Sequence, residues 1–246
     1  MNVPGNSATP PVGYAPADAL TYWDKVNLGR WGRYIAQIEE AAILRANELS
    51  GKPSAGLDLG CGSGRWSRLL STLGWQMTCI DVDKDALSIC RRNVPNANHI
   101  LTDCNARTIP GESGSAGLLL CIEAPVLDSD WFLAETDRIL RNGGLLVGVW
   151  WNSHSLRGLA WRLKYSVKPG HDSTLFYTSS YSSWKKRLAK ARFEMLYENG
   201  FCWAPFGRAS DSFLVPWFSK LEHILCLNRW VGCSPWIIFV ARKKAA

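Results

Sequence analysis

The residues that most narrow the fold are Leu57–Ser67, reading Leu-Asp-Leu-Gly-Cys-Gly-Ser-Gly-Arg-Trp-Ser. An apolar run, Ala55–Leu59, leads into glycines at 60, 62 and 64, and a helical pattern follows over Arg65–Leu73. Glycine in such a turn lets backbone amides approach a ligand closely, with the N-terminus of the next helix behind them. The dinucleotide fingerprint G-x-G-x-x-G would place its third glycine at position 65, where this chain has arginine. The spacing here is Asp58-x-Gly60-x-Gly62-x-Gly64, which departs from the NAD pattern and disfavours an NAD-dependent oxidoreductase. About twenty residues on, a second apolar run ends in Asp81, where a carboxylate can bond both hydroxyls of a ribose. Loop and acid together point to a nucleoside-bearing cofactor.

Around this loop, short apolar runs alternate with amphipathic stretches. Helical spacing runs from Tyr22 to Leu49. Strands are expected at Ala55–Leu59, Gln76–Ile80, Asn98–Leu101, Gly117–Ile122 and Leu145–Trp150. Helices are expected at Arg65–Leu73, Lys84–Asn93 and Ser129–Arg141. Strands separated by helices of this length mean right-handed βαβ units and a mainly parallel sheet. Beyond Trp151 the rhythm loosens. Leu156–Phe176 reads as an insertion, followed by a helix over Tyr181–Ala191 and a strand over Phe193–Glu198. An amphipathic stretch, Phe213–Leu227, precedes a last strand at Pro235–Ala241.

The Asp58–Gly64 loop with Asp81 resembles the class I S-adenosylmethionine-dependent methyltransferases, over roughly residues 20–200. The resemblance implies an α/β fold: a Rossmann-like, seven-stranded, mainly parallel sheet with helices on both faces and an antiparallel last strand. It implies S-adenosyl-L-methionine as the cofactor, held by Asp58, Gly60, Cys61, Gly62, Gly64, Asp81 and Val82. Asp103 and Cys104 would border the adenine, and Ile122 and Glu123 the methionine part and the methyl group. Asn142-Gly-Gly-Leu145 is similar to the family's Pro-Gly-Gly turn. Within that superfamily, Tyr22-Trp-Asp24 with Asn27-Leu-Gly-Arg30, and Pro169-Gly-His-Asp172, resemble the O-methyltransferases of ubiquinone biosynthesis. That resemblance makes Arg30 the partner of the cofactor carboxylate, with Arg33 as its competitor. Those enzymes carry Glu-x-x-Glu-His after the fourth strand; here Glu123 is kept, and Val126 and Leu127 replace the rest. No metal is therefore expected at that site.

Methyl transfer from a sulfonium is an in-line displacement on an already activated carbon. The protein aligns the two reactants and takes a proton from the acceptor where its pKa demands it. Glu123, His154 and His171 are the candidate bases, the two histidines lying in the region expected to form the acceptor side. The stretch Ile122-Glu-Ala-Pro125 lacks the Asn/Asp-Pro-Pro-Tyr pattern of enzymes that methylate base amines. A small or lipid-like acceptor, methylated at oxygen, is the expected substrate class.

Charge adds a second theme. Residues 1–150 hold 13 basic and 16 acidic side chains, whereas residues 151–246 hold 15 and 5, with seven of the 13 tryptophans. A cationic, Trp-rich segment suits an anionic partner with an apolar body, so peripheral membrane contact and RNA both stay open. The alternatives are an RNA methyltransferase recruited by this part and a cofactor-binding partner subunit without its own chemistry. In Phe213–Leu227, the residues Phe213, Leu214, Trp217, Phe218, Leu221 and Leu225 fall on one broad face. Core packing is the common reason for such a stripe; a lid or a membrane-resting face is the other. The eight cysteines contain no C-x-x-C pair and read as small buried hydrophobes in a reducing compartment. Met1–Asp18 reads as a flexible lead-in to a methyltransferase domain over 19–246, with neither the basic nor the apolar segment of a secretory signal. The longest apolar run, Gly143–Leu156, is interrupted by Asn152, Ser153 and His154 and falls short of a membrane span. A cytoplasmic protein, in peripheral contact with membrane where its acceptor requires it, is expected.

Overall fold

A computed structural model describes residues 21–166 and 176–245. Its centre is a seven-stranded sheet in the order β3-β2-β1-β4-β5-β7-β6. The strands are β1 Ala55–Leu59, β2 Gln76–Asp81, β3 Asn98–Leu101, β4 Ala116–Cys121, β5 Leu140–Trp151, β6 Phe193–Phe201 and β7 Trp236–Lys243. β1 pairs in parallel with β2 and β4, β2 with β3, and β4 with β5. The last strand enters between β5 and β6 and is antiparallel to both, as the family resemblance implies.

The helices are α1 Tyr22–Asn27, α2 Arg30–Ser50, α3 Arg65–Thr72, α4 Lys84–Asn93, α5 Phe132–Ile139, α6 Leu156–Ser166, α7 Tyr181–Lys190 and α8 Val215–Ile224. β4 is buried at every position, as befits a central parallel strand covered on both faces. One core layer joins Trp31, Ile35 and Ile43 of α2 and Leu69 and Leu70 of α3 to Leu118, Leu120 and Val147. The other joins Phe132 and Leu133 of α5 and Tyr181 and Trp184 of α7 to Leu119, Leu146 and Phe239. Helices thus cover both faces of the sheet.

Three elements differ from the expectations above. The helix expected over Tyr22–Leu49 is two helices, broken at Leu28 and Gly29. A Thr21–Asp24 capping box starts α1, Gly29 caps α2, and a Cβ on Gly32 would lie 2.4 Å from the Asn27 Cα. The end of α1 therefore packs directly on the backbone of α2, where only glycine fits. The helix expected over Ser129–Arg141 is only α5, because Pro125–Asp128 forms a 3-10 turn and β5 already begins at Leu140. The insertion at Leu156–Phe176 contains α6; Pro169-Gly-His171-Asp172 and Met1–Asp18 lie outside the described residues.

Candidate active site

Parallel strands bring the ends of β1 to β5 to one edge of the sheet. Crossovers leave β1 for β2 and β4 for β5, so the crevice of the topological switch opens at this edge between β1 and β4. Because β7 runs antiparallel, its first residue, Trp236, meets Trp151 at the end of β5 and Phe201 at the end of β6. One edge therefore gathers the glycine loop, Asp81, Glu123 and a group of aromatic rings.

The loop is held by its neighbour strand. Gly60 and Cys61 N–H both donate to the Ile80 carbonyl, at 2.8 and 3.2 Å, and Gly62 N–H donates to Asp81 Oδ2 at 2.7 Å. Gly60, Gly62 and Gly64 all have positive φ. A Cβ at Gly64 would meet Cys90 Sγ at 2.5 Å, while one at Gly62 would meet nothing within 4 Å. The loop is thus packed from below at Gly64 and open above at Gly62. No side chain caps the first turn of α3, which leaves its N–H groups for a ligand.

Asp81 accepts from Gly62 N–H through one oxygen and from Asp83 N–H, at 2.9 Å, through the other. Each carboxylate oxygen has two acceptor sites, so one remains on each for a ribose diol. Val82 beside it is exposed, as is Leu101 across the β2–β3 pair. Asp103 and Cys104 are exposed in the turn after β3, where Asn105 N–H donates to Asp103 Oδ1 at 2.7 Å and holds that carboxyl below its usual range. These groups form an open apolar shelf with acceptors along it, a fit for the nucleoside of the cofactor. Asp58 is different: it is 2% exposed and accepts from Ser67 Oγ at 2.7 Å. Burial pushes its pKa up to about 7. From inside, it ties β1 to α3.

Across the crevice, Glu123 follows β4 with φ +53°, a conformation that costs a non-glycine residue energy. Its carboxylate accepts from Arg208 Nη2 at 2.7 Å. Glu39 of α2, with no exposure, accepts from Arg65 Nη2 at 2.9 Å. Burial, then the charge of Glu123, push the Glu39 carboxyl well above its usual range, against the pull of Arg65 and Arg208. Two acids and two arginines thus share one site beside the glycine loop. Arg208 Nε and Nη1 are buried and make no hydrogen bond among the described residues. The Arg208 guanidinium lies 5.9 Å from the Trp236 ring, which meets Trp151 and Phe201 edge-on and donates Nε1–H to Tyr177 at 2.7 Å.

Of the residues singled out in the sequence, the glycines, Cys61, Asp81, Val82, Ile122 and Glu123 come together at this edge. Arg30 is engaged elsewhere: its backbone and side chain bind Asp211, and it lines a groove of about 500 Å³ between α2 and α8 that includes no glycine-loop residue. Arg33 lines the same groove and donates to the Leu28 carbonyl. His154 is exposed after β5, its N–H held by the buried Asn152, and His171 lies outside the described residues. Leu127 is buried, and Asp128 is paired with Arg187 at 2.6 Å. Sequence reasoning missed Glu39, Arg65 as a partner in the site, and Arg208. Arg65 carried a signal, as a charge directly after the loop; Arg208, 85 residues from its partner, carried none.

Residues 57–144 match the family model for a methyltransferase domain. No curated protein matches the sequence. Among solved structures, a geranyl diphosphate methyltransferase in complex with geranyl diphosphate and sinefungin is 15% identical, over 86% of this chain and 78% of that one, with a TM-score of 0.59. The geranyl diphosphate C-methyltransferase of Streptomyces coelicolor A3(2), with Mg2+, geranyl diphosphate and S-adenosyl-L-homocysteine, is 14% identical over 85% and 82%, with a TM-score of 0.58. The [4+2]-cyclase SpnF is 16% identical over 85% and 81%, with a TM-score of 0.57. These likenesses show the fold alone, which serves more than one chemistry. The family match spans Asp58, the glycine loop, Asp81 and Glu123, so this part of the chain carries a methyltransferase domain, and the sheet order is that of the Rossmann-like fold expected of an enzyme that uses S-adenosyl-L-methionine.

Proposed function

We propose that this protein methylates a small or lipid-like acceptor at an oxygen atom, and that it meets this acceptor at an anionic membrane surface. The observation that carries the reading is Arg208: its Nε and Nη1 are buried and make no hydrogen bond among the described residues, beside Glu123 and the Trp236 ring. Buried donors without partners are costly and suit an oxygen-bearing ligand. The cofactor supplies a methyl carbon activated by the positive sulfur. Gly60, Gly62 and Asp81 hold its nucleoside and methionine parts, with Val82, Ile122, Asp103 and Cys104 along its edge. Arg208 orients the acceptor oxygen, and Glu123 takes its proton. The rings of Trp151, Trp236 and Tyr177 exclude water around the apolar body of the acceptor.

The amphipathic stretch favours the membrane. Val215 and Glu222 turn inward and Phe218 packs on Phe206, while Phe213, Trp217 and Ile224 are 72–73% exposed. The stripe is therefore largely outside the core. Exposed Lys220 and Arg229 lie among these side chains, and exposed Trp230 follows. An apolar face rimmed by cations suits the headgroup layer of an anionic leaflet. No helix of the described residues is long and apolar enough to cross a membrane.

The test is methyl transfer from labelled S-adenosyl-L-methionine into a total extract split into lipid, small-metabolite and RNA fractions. Label in a base-stable or ester-type O-methyl product of the first two fractions supports the reading. Label confined to RNA, to carbon or to nitrogen overturns it, and absence of label from all fractions would point to a partner subunit.

A further inference from the structure

Three of the eight cysteines meet beneath the glycine loop. Cys61 lies in the loop itself, Cys79 on β2 and Cys90 on α4, all three buried. Their Sγ atoms lie within 4.8 Å of one another. Leu87 and Val94 close the space around them. These cysteines are 11 to 29 residues apart in the chain, so no C-x-x-C spacing announces them.

A second observation comes from the next strand. His99 on β3 is the register partner of Cys79 in the parallel β2–β3 pair. Partners in a parallel ladder present their side chains on the same face, so the His99 ring is directed to the side of the sheet that carries Cys79. Its Nε2 is buried and has no hydrogen-bond partner among the described residues. A buried imidazole nitrogen left unpaired is unusual and asks for a ligand.

We propose that Cys61, Cys79 and Cys90, with His99 as the fourth donor, form a site for a thiophilic d10 cation, zinc, that clamps the cofactor loop to β2 and α4. Three sulfurs and one imidazole are a donor set for tetrahedral zinc, with Zn–S bonds of about 2.3 Å that place the sulfurs roughly 3.8 Å apart. The 4.8 Å limit on the present separations of the three sulfurs means that only small side-chain rotations gather them, and the His99 ring, outside that group, turns toward them to complete the set. On binding, each thiol releases a proton to solvent and its sulfur gives a lone pair to the metal, and no redox change occurs. Zinc held here has no open position facing the crevice, which makes it structural and distinct from the methyl-transfer chemistry.

The experiment uses the full chain, freshly reduced and stripped of metal, titrated with Co2+ and then with Zn2+. One equivalent of cobalt should bind with the thiolate-to-cobalt charge-transfer band and intense visible bands of a tetrahedral site, and zinc should displace it. Tm should rise with the logarithm of free zinc. A variant with Cys104, Cys226 and Cys233 all changed to Ser should keep the spectrum, since those three are exposed and outside the cluster. Cys90→Ser should remove the charge-transfer intensity of one thiolate, and His99→Gln should shift the visible bands. Where Cys90→Ser does not fold, wild-type protein serves: zinc should shield three thiols from alkylation in the folded state at partial denaturation. Absence of a cobalt band in reduced wild type overturns the site. So does a band that disappears in the triple-serine variant.

Discussion

The carboxylate of Glu123 and the guanidinium of Arg208 meet at 2.7 Å, although the residues are 85 apart in sequence. One partner follows the central strand β4, and the other belongs to the segment between β6 and α8. Their pairing spans the crevice on the side proposed for the acceptor and leaves two more nitrogens of Arg208 buried and without a hydrogen bond among the described residues. A lysine could supply the charge but not this planar fork of donors.

Arg208→Lys should therefore lower kcat/KM for the acceptor by about 10- to 150-fold, the equivalent of one charge-assisted hydrogen bond at about 1.5–3 kcal/mol. The affinity for S-adenosylhomocysteine, measured by calorimetry, should change little. A variant with normal kcat/KM would place the acceptor elsewhere.

Asp81 carries a different load, because its oxygens bind Gly62 N–H and Asp83 N–H as well as facing the proposed ribose site. Asp81→Ala should weaken S-adenosylhomocysteine binding by at least tenfold, given about 1.5–3 kcal/mol for each bond to a charged acceptor. NAD should bind to neither form. Unchanged affinity would mean that the ribose acid is misassigned.

Asp58 makes stability depend on pH in a direction opposite to that of most carboxylates. Its folded pKa is raised to about 7 by burial, so folding takes up a proton between the unfolded pKa of about 4 and that value. Its contribution is complete below pH about 4 and is lost as pH rises through about 7. Denaturation across this window should show wild type losing stability relative to Asp58→Asn, which keeps an acceptor for Ser67. Parallel curves for the two proteins would show that the carboxyl ionises normally.

Vesicle sedimentation tests the exposed face of α8. The protein should sediment with anionic vesicles at low salt, stay free of neutral ones, and be released as salt rises, since cations near such a leaflet gain about 1 kcal/mol each. The double change Phe213→Ala with Trp217→Ala should reduce partition by tenfold or more with Tm unchanged, because both side chains are exposed. A large fall in Tm would return the stripe to the core. Capture of the protein by RNA duplex but not by vesicles would favour the nucleic-acid reading.

The sequence by itself determined the strands and helices of the first half of the sheet and the glycine loop between them. Period-two and period-3.6 patterns, and glycines whose backbone must take positive φ, are local, and they placed β1 to β4, α3, α4, the loop and Asp81 within a residue or so. The likeness of Asp58 to a ligand-binding acid hid its burial, since burial depends on α3 folding back to bring Ser67 against it. Only the tertiary structure decided what gathers on the side proposed for the acceptor. Arg208 reaches Glu123 and Arg30 turns to Asp211 because the segment between β6 and α8 folds back toward the carboxyl edge and α2, whereas three distant cysteines meet under the loop because β1, β2 and α4 pack against one another. The outward face of α8 was ambiguous for the same reason. An amphipathic period states that a helix has an apolar side, and only its packing partners, here Phe206 and Tyr34 on the inner side, decide which residues that side leaves uncovered.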